Sequence, residues 1–143
     1  MIAVDTNILI HAHFEAMPKH ASARRRLESL AEGREPWALP VFCVGEFLRV
    51  ATHPRVFETP FEPEEAWDAL NRLLASPTLV VLHPEERFLE LFEASVVHAG
   101  TRGNLVFDAQ IAALCREHGV RELLTEDRDF ARFEGLTPIQ LQA

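Results

Sequence analysis

The chain has 143 residues, enough for one domain with its own core (residues 1–143) and too few for two. Hydrophobic residues at 48% and charged residues at 25% read as a soluble globular protein, and two cysteines in apolar segments, Cys43 and Cys115, exclude a disulfide framework and fit buried thiols of a reducing compartment. A net charge of −8 argues against broad, non-specific nucleic-acid binding. No stretch approaches the roughly 20 apolar residues of a membrane span, and Met1 opens on a strand-like run without a leader pattern, so a cytoplasmic protein with no membrane partner is expected.

In chain order, Met1–Val4 reads as a short buried strand that stops at Asp5-Thr6-Asn7. Ile8–His13 looks helical, Pro18 breaks the chain, and Lys19–Glu32 forms a helix with a modest apolar stripe and Gly33 as its stop. Trp37–Leu39 is a second strand and Val41–Thr52 the next helix, opened by Pro40. The proline-rich stretch from His53 to Pro63 reads as a loop. Pro63-Glu64-Glu65 then opens a helix to about Ala75, with acidic residues where the helix dipole favours them. Leu79–Leu82 is an all-apolar third strand, and Phe88–His98 and Leu105–His118 are helices. Glu122–Leu124 is a fourth strand ending at Thr125-Glu126-Asp127, and Thr137–Leu141 a short fifth. Apolar strands alternating with helices predict an α/β fold with a central, mostly parallel sheet of four to five strands.

Most of the 22 acidic residues sit on helix starts and solvated faces. Four do not. Asp5 and Asp127 follow strands, at the carboxyl ends where open parallel sheets collect ligands; each could equally cap the element after it. Glu46 shares a helical face with Phe42, Cys43 and Val50, and Asp108 shares one with Leu105, Ile111 and Ala112. A carboxylate on an apolar face is costly unless an arginine or a cation answers it. Carboxylates about 5 Å apart repel by about 3 kcal/mol per pair at an effective dielectric near 20. A cluster of four would therefore protonate or splay without a cation. Oxygen-only ligands select a hard ion, Mg²⁺ or Mn²⁺.

Val4-Asp5-Thr6-Asn7, Glu46 in a mid-chain helix, Asn104-Leu105-Val106-Phe107-Asp108-Ala109 and Thr125-Glu126-Asp127-Arg128-Asp129-Phe130 resemble the PIN domain over the whole chain. The segment from Gly103 to Phe133 is especially similar to VapC-type toxins of toxin–antitoxin pairs. The resemblance implies a PIN-like α/β/α sandwich, a homodimer, a metal-dependent endoribonuclease acting on an RNA substrate, and a cognate antitoxin that blocks the site. It implies Asp5, Glu46, Asp108 and Asp127 as catalytic acids and metal ligands, with Asp5 and Asp108 nearest the ion. Thr6, Asn7 and Thr125 would support them by hydrogen bonds, and Asp129 competes with Asp127 for the fourth acidic position.

Arg102, just before Asp108, is the expected phosphate-steering residue, whereas Arg49, one turn from Glu46, could neutralise it. Arg24-Arg25-Arg26 reads as RNA phosphate contacts, a surface for an acidic antitoxin segment, or a solvated face. His11 and His13 point apart on a helix and are not read as a ligand pair. An aspartate-type phosphatase is disfavoured because Asp5 has no partner Asp two residues on and Lys19 is the only lysine. An RNA-processing nuclease outside any toxin pair and a non-catalytic PIN-like binding module remain alternatives.

Overall fold

The computed structural model of the chain describes residues 1–142. Five short strands form one sheet: β1 (Ile2–Val4), β2 (Trp37–Pro40), β3 (Leu79–Leu82), β4 (Glu122–Leu124) and β5 (Thr137–Ile139). Their spatial order is β3-β2-β1-β4-β5 and every pairing is parallel. Six helices accompany them: α1 (Thr6–His13), α2 (His20–Glu32), α3 (Val41–Ala51), α4 (Pro63–Leu74), α5 (Phe88–Ala99) and α6 (Leu105–Glu117). None of these helices is long and apolar enough to cross a membrane.

Burial follows position in the sheet. In β1 and β2, covered on both faces, Ala3, Val4, Trp37, Ala38 and Leu39 are at most 1% exposed. The all-apolar run of β3 lies at the edge, and Val80 stays 41% exposed there. Expected and observed elements agree to within one or two residues at their ends, except that α1 begins at Thr6, directly on the Asp5 cap.

The proline-rich stretch after α3 is a loop, as read, and is anchored by aromatics. Phe57 and Phe61 both stack on Phe14, with ring centroids 3.8 and 4.4 Å away. At the far end of the loop Pro63 opens α4, and the Glu62 N–H donates to Glu65 Oε1 in a capping arrangement. The sequence reading lacked one element, a 3₁₀ helix at Arg128–Arg132.

Strand order matters most for function. The chain moves from β1 outward to β2 and β3, then returns to the other side of β1 with β4 and β5. The order reverses between β1 and β4. At such a switch point the connections leave the carboxyl ends in opposite directions and open a crevice. Asp5 follows β1, and Thr125 and Asp127 follow β4, so all three stand at its mouth.

Candidate active site

The β1 end is built around Asp5. Its carboxylate is 5% exposed, and Oδ1 accepts from the Thr6 N–H at 2.7 Å, which caps α1. Oδ2 accepts from the Thr125 hydroxyl at 2.8 Å and the Asn7 amide at 3.2 Å. Thr125, fully buried, ties the two strand ends together. Its hydroxyl donates to Asp5 and accepts from the Asn7 amide and the Asp127 N–H, both at 3.0 Å. The Asn7 Oδ1 accepts from the Glu126 N–H at 3.1 Å, closing the network. Asn7 and Thr125 thus support Asp5 through their side chains. Thr6 does so only through its backbone, for its buried hydroxyl has no partner among the described residues.

The other acidic residues stand across the crevice. Glu46 from α3, Asp108 from the first turn of α6 and Asp127 line one cleft of about 760 Å³. Phe42, Gly45, Arg49, Asn104 and Phe107 also line it. Asp5 lies behind this wall, close enough for Glu46 and Asp127 to act on its charge.

Electrostatics reports the same convergence. Burial, offset by the Thr125 and Thr6 hydrogen bonds and reinforced by the Glu46 and Asp127 charges, pushes the Asp5 carboxyl up to about 6. Burial raises Asp108 to about 7, with the charges of Asp127, Asp5, Glu46 and Asp129 adding to it. Burial also raises Glu46, against the pull of Arg49. No salt bridge among the described residues involves any of the four. Arg49 therefore biases Glu46 without pairing with it, and the cluster's excess negative charge is not answered within the protein.

Such a donor set suits a hard divalent cation, being oxygen-only and raised in pKa by mutual repulsion. Yet no three His, Cys, Asp or Glu side chains among the described residues form a ready-made metal cage. That suits Mg²⁺, which keeps several waters and is held by one or two carboxylates plus phosphate oxygens.

The structure separates Asp127 from Asp129, which the sequence left open. Asp127 lines the cleft, and its Oδ1 accepts from the Asp129 N–H at 2.9 Å, capping the 3₁₀ helix. Asp129 is exposed outside the cleft wall, 3.8 Å from the Arg132 guanidinium. Arg102 is also exposed and does not line the cleft, whereas Arg49 does. Arg102 lies in the link between α5 and α6, and proximity to Asp108 along the chain does not aim its side chain at the same crevice.

Sequence reasoning passed over three residues here. Gly45 occupies the exposed side of α3 beside Glu46, and a Cβ there would meet nothing within 4 Å. Phe107 lines the cleft with 59% of its surface exposed. Its signal was an aromatic one position before the inward-facing Asp108. Glu126 accepts from Lys19 Nζ at 2.9 Å and, through Oε1, from the Leu141 N–H at 3.1 Å, bracing the turn between Thr125 and Asp127. His11 and His13 are structural: His11 Nδ1 accepts from the Lys19 N–H, and His13 Nδ1 bonds the Leu9 carbonyl while its ring meets Phe47 edge-on. Both thiols are free and buried.

The family model for the PIN domain matches residues 2–136. The chain belongs to the PIN-domain family. Ribonuclease VapC43 of Mycobacterium tuberculosis is 40% identical over 136 residues, covering 95% of this chain and 92% of its own. Ribonuclease VapC48 of the same species is 32% identical over 133 residues, covering 92% and 91%. Among solved structures, VapBC2 of Rickettsia felis, bound to a DNA fragment from its promoter, superimposes with a TM-score of 0.70 at 20% identity, over 99% of this chain and 100% of that one. The sarcin–ricin loop cleaving toxin VapC20 of Mycobacterium tuberculosis gives 0.69 at 21% identity, over 96% and 100%. The VapC relatives place the chain in the ribonuclease branch of the PIN family, and the superpositions share its five-stranded parallel sheet.

Proposed function

We propose that the chain is a VapC-type endoribonuclease that hydrolyses RNA phosphodiester bonds with Mg²⁺ or Mn²⁺ at the cleft of Glu46, Asp108 and Asp127, backed by Asp5. One observation carries this reading: an acid-only cleft at the β1–β4 switch point whose carboxylates raise one another's pKa and have no ion-pair partner in the protein. Asp108 and Asp5 would hold the ion, with Glu46 and Asp127 completing the acidic surround. When bound, the ion supplies the Lewis acidity and charge neutralisation that phosphodiester hydrolysis requires.

The remaining roles fall to the protein's own groups. Thr125 and Asn7 fix the Asp5 carboxylate in one orientation. Arg49, the only cation lining the cleft, offers a guanidinium to a phosphate of the strand and takes the steering role expected of Arg102. Phe107 presents an open aromatic face on which a base can stack.

The setting follows from the relatives. Several solved VapC-like structures are toxin–antitoxin complexes, which supports a cognate antitoxin for this chain as well. Leu89 and Val97 on α5, 75% and 67% exposed, leave apolar surface that a second copy would cover in a homodimer. The cytoplasm, where RNA and antitoxin are both present, is the expected compartment.

The deciding experiment is RNA cleavage by purified protein with Mg²⁺, Mn²⁺ or EDTA, beside Asp5→Asn and Asp108→Asn. Cleavage should require the ion and fall by about 100-fold or more in either variant. Undiminished cleavage in EDTA, or by both variants, refutes the mechanism. Growth arrest on expression, relieved by the small protein encoded beside it, tests the toxin assignment.

A further inference from the structure

Helix α2 carries three consecutive arginines that the acidic cleft does not use. Arg24 turns aside, with its Nε 3.0 Å from Glu28 Oε1. Arg25 and Arg26 face the other way. With Ser22 and Ser29 they occupy positions i, i+3, i+4 and i+7, a single stripe along the helix. Ala23 and Leu27, off this stripe, are the helix residues buried in the core.

The stripe forms one wall of a second cavity, of about 430 Å³. The opposite wall comes from Leu124 and Ile139, which end β4 and β5, and from the tail residues Gln140, Leu141 and Gln142. This is the same carboxyl edge of the sheet that carries Asp5. The tail is tied to the site's own turn, since the Leu141 N–H and the Gln140 amide donate to the Oε1 and backbone carbonyl of Glu126. Glu126 lies between Thr125 and Asp127, so one turn has the acidic cleft on one side and this cavity on the other.

Its chemistry is opposite to that of the cleft. The chain has 22 acidic and 14 basic residues, yet no acidic side chain lines the cavity. Neither Arg25 nor Arg26 has a carboxylate within 4 Å among the described residues. Two adjacent guanidiniums share one space with serine hydroxyls and glutamine amides, over the apolar surfaces of Ile139 and Leu141. Guanidiniums recognise phosphate through paired donors. The hydroxyls and amides suit sugar and base edges, and the apolar surface suits the face of a base. The volume falls within the range of small-ligand sites.

We propose that this cavity binds one nucleotide unit of the RNA strand, its phosphate on Arg25 and Arg26, at a point separate from the scissile phosphate. A strongly acidic protein thereby holds a polyanion: repulsion is confined to the cleft where a cation enters, and attraction lies beyond the Thr125–Asp127 turn. The proposal rests on the ribonuclease reading. It adds that productive substrates are long enough to reach both sites.

The test is binding of fluorescein-labelled oligouridylates in EDTA, one short enough to fill only the cleft and one long enough to pass the turn. Wild type, Arg25→Ala/Arg26→Ala and Arg25→Lys/Arg26→Lys are compared across salt concentrations, each checked for an unchanged melting temperature. For the long strand, the alanine pair should lose at least about tenfold in affinity. Its log–log salt slope should shrink by about 1.4, or about 0.7 for each single-strand phosphate released. The short strand should bind all three proteins alike, and the lysine pair should recover most of the salt slope. Equal losses on both strands, or none on either, overturn the proposal. It is also overturned if RNA binding is unchanged while capture of the antitoxin is lost, which makes the cavity a protein-docking site. Because binding is read without cleavage, a wild-type protein that binds long RNA but never cuts it refutes the nuclease reading and leaves the cavity assignment standing.

Discussion

Replacing Asp108 with asparagine should make the metal-free protein more stable at alkaline pH. Asp108 is half-buried, accepts no hydrogen bond from the described residues and lies near other carboxylates. Burial first, and the charges of Asp127, Asp5, Glu46 and Asp129 after it, raise its pKa from 3.8 to about 7. That displacement is worth at most about 4 kcal/mol between protonated and ionised forms. Solvent at a half-exposed site screens it to about 1–2 kcal/mol. The sign follows from linkage. The folded chain holds this proton more tightly than the unfolded one, so the stabilisation is complete below about pH 4 and is lost as pH rises through about 7. In EDTA at pH 8, Asp108→Asn should therefore melt about 3–7 °C higher than wild type. At pH 5 the gap should nearly close. Saturating Mg²⁺ or Mn²⁺ should raise only the wild type, by about 2.7 kcal/mol at a hundredfold excess over Kd. Thermal melts by circular dichroism at two pH values, with and without metal, decide the matter. A variant no more stable than wild type at pH 8, or equally favoured at pH 5, refutes the claim that Asp108 is held in an electrostatically unfavourable state.

Thr125→Val keeps the shape of a fully buried side chain but removes the hydroxyl that Asp5, Asn7 and the Asp127 N–H share. It should cost about 1–3 kcal/mol in chemical denaturation and move the acidic limb of the pH–activity profile upward, because the Thr125 bond lowers the Asp5 pKa. Gly45→Ala should stabilise α3 by about 0.5–1 kcal/mol, since nothing lies within 4 Å of the added Cβ. Gly45→Leu should instead obstruct the cleft and lower kcat/KM, which separates the value of the empty space from that of backbone freedom. Phe107→Ala should raise KM by about fivefold or more, with kcat little changed, if a base stacks there at about 1–3 kcal/mol; an unchanged KM removes Phe107 from substrate binding.

Much of this site could be read without coordinates, because its positions follow from periodicity. A short apolar run ending in Asp5, and another ending before Thr125 and Asp127, place carboxylates at strand ends wherever the strands lie in the sheet. Glu46 and Asp108 announce themselves by sharing helical faces with apolar residues. Side-chain direction in irregular backbone could not be read. Asp127 and Asp129 differ by two residues, and only the 3₁₀ turn aims one at the cleft and the other at Arg132. Arg102 is nearer Asp108 in sequence than Arg49 is, yet it sits in a link while Arg49 rides on the helix that carries Glu46. The edge position of β3 was equally hidden, because an all-apolar run looks the same at the centre of a sheet and at its rim. The arginine run on α2 could not be divided from sequence either, since its split depends on Glu28 drawing Arg24 to one side.

Asp5 and Asp108 carry the same charge in one cluster, but their surroundings assign them different work. Asp5 is the more buried, and both of its oxygens are occupied, by the Thr6 N–H on one and by Thr125 and Asn7 on the other. Asp108 has burial and repulsion with no compensating donor. An asparagine at position 108 loses only an unfavourable charge. At position 5 it also replaces an acceptor oxygen with a donor NH₂, which must face either the Thr6 N–H or a Thr125 hydroxyl that already accepts from two groups. Leaving one such buried group unpaired costs about 1–3 kcal/mol, comparable to what removing a charge with a pKa near 6 returns at pH 8. The two effects should nearly cancel, so in EDTA at pH 8 Asp5→Asn should melt within about 2 °C of wild type, well below Asp108→Asn. Reasoning from burial alone gives the reverse order, because the more deeply buried carboxylate should then gain most from neutralisation. If Asp5→Asn proves the more stabilising of the two, the hydrogen bonds around Asp5 do not hold it as its geometry indicates, and Asp5 and Asp108 become equivalent ligands rather than a fixed one and an open one.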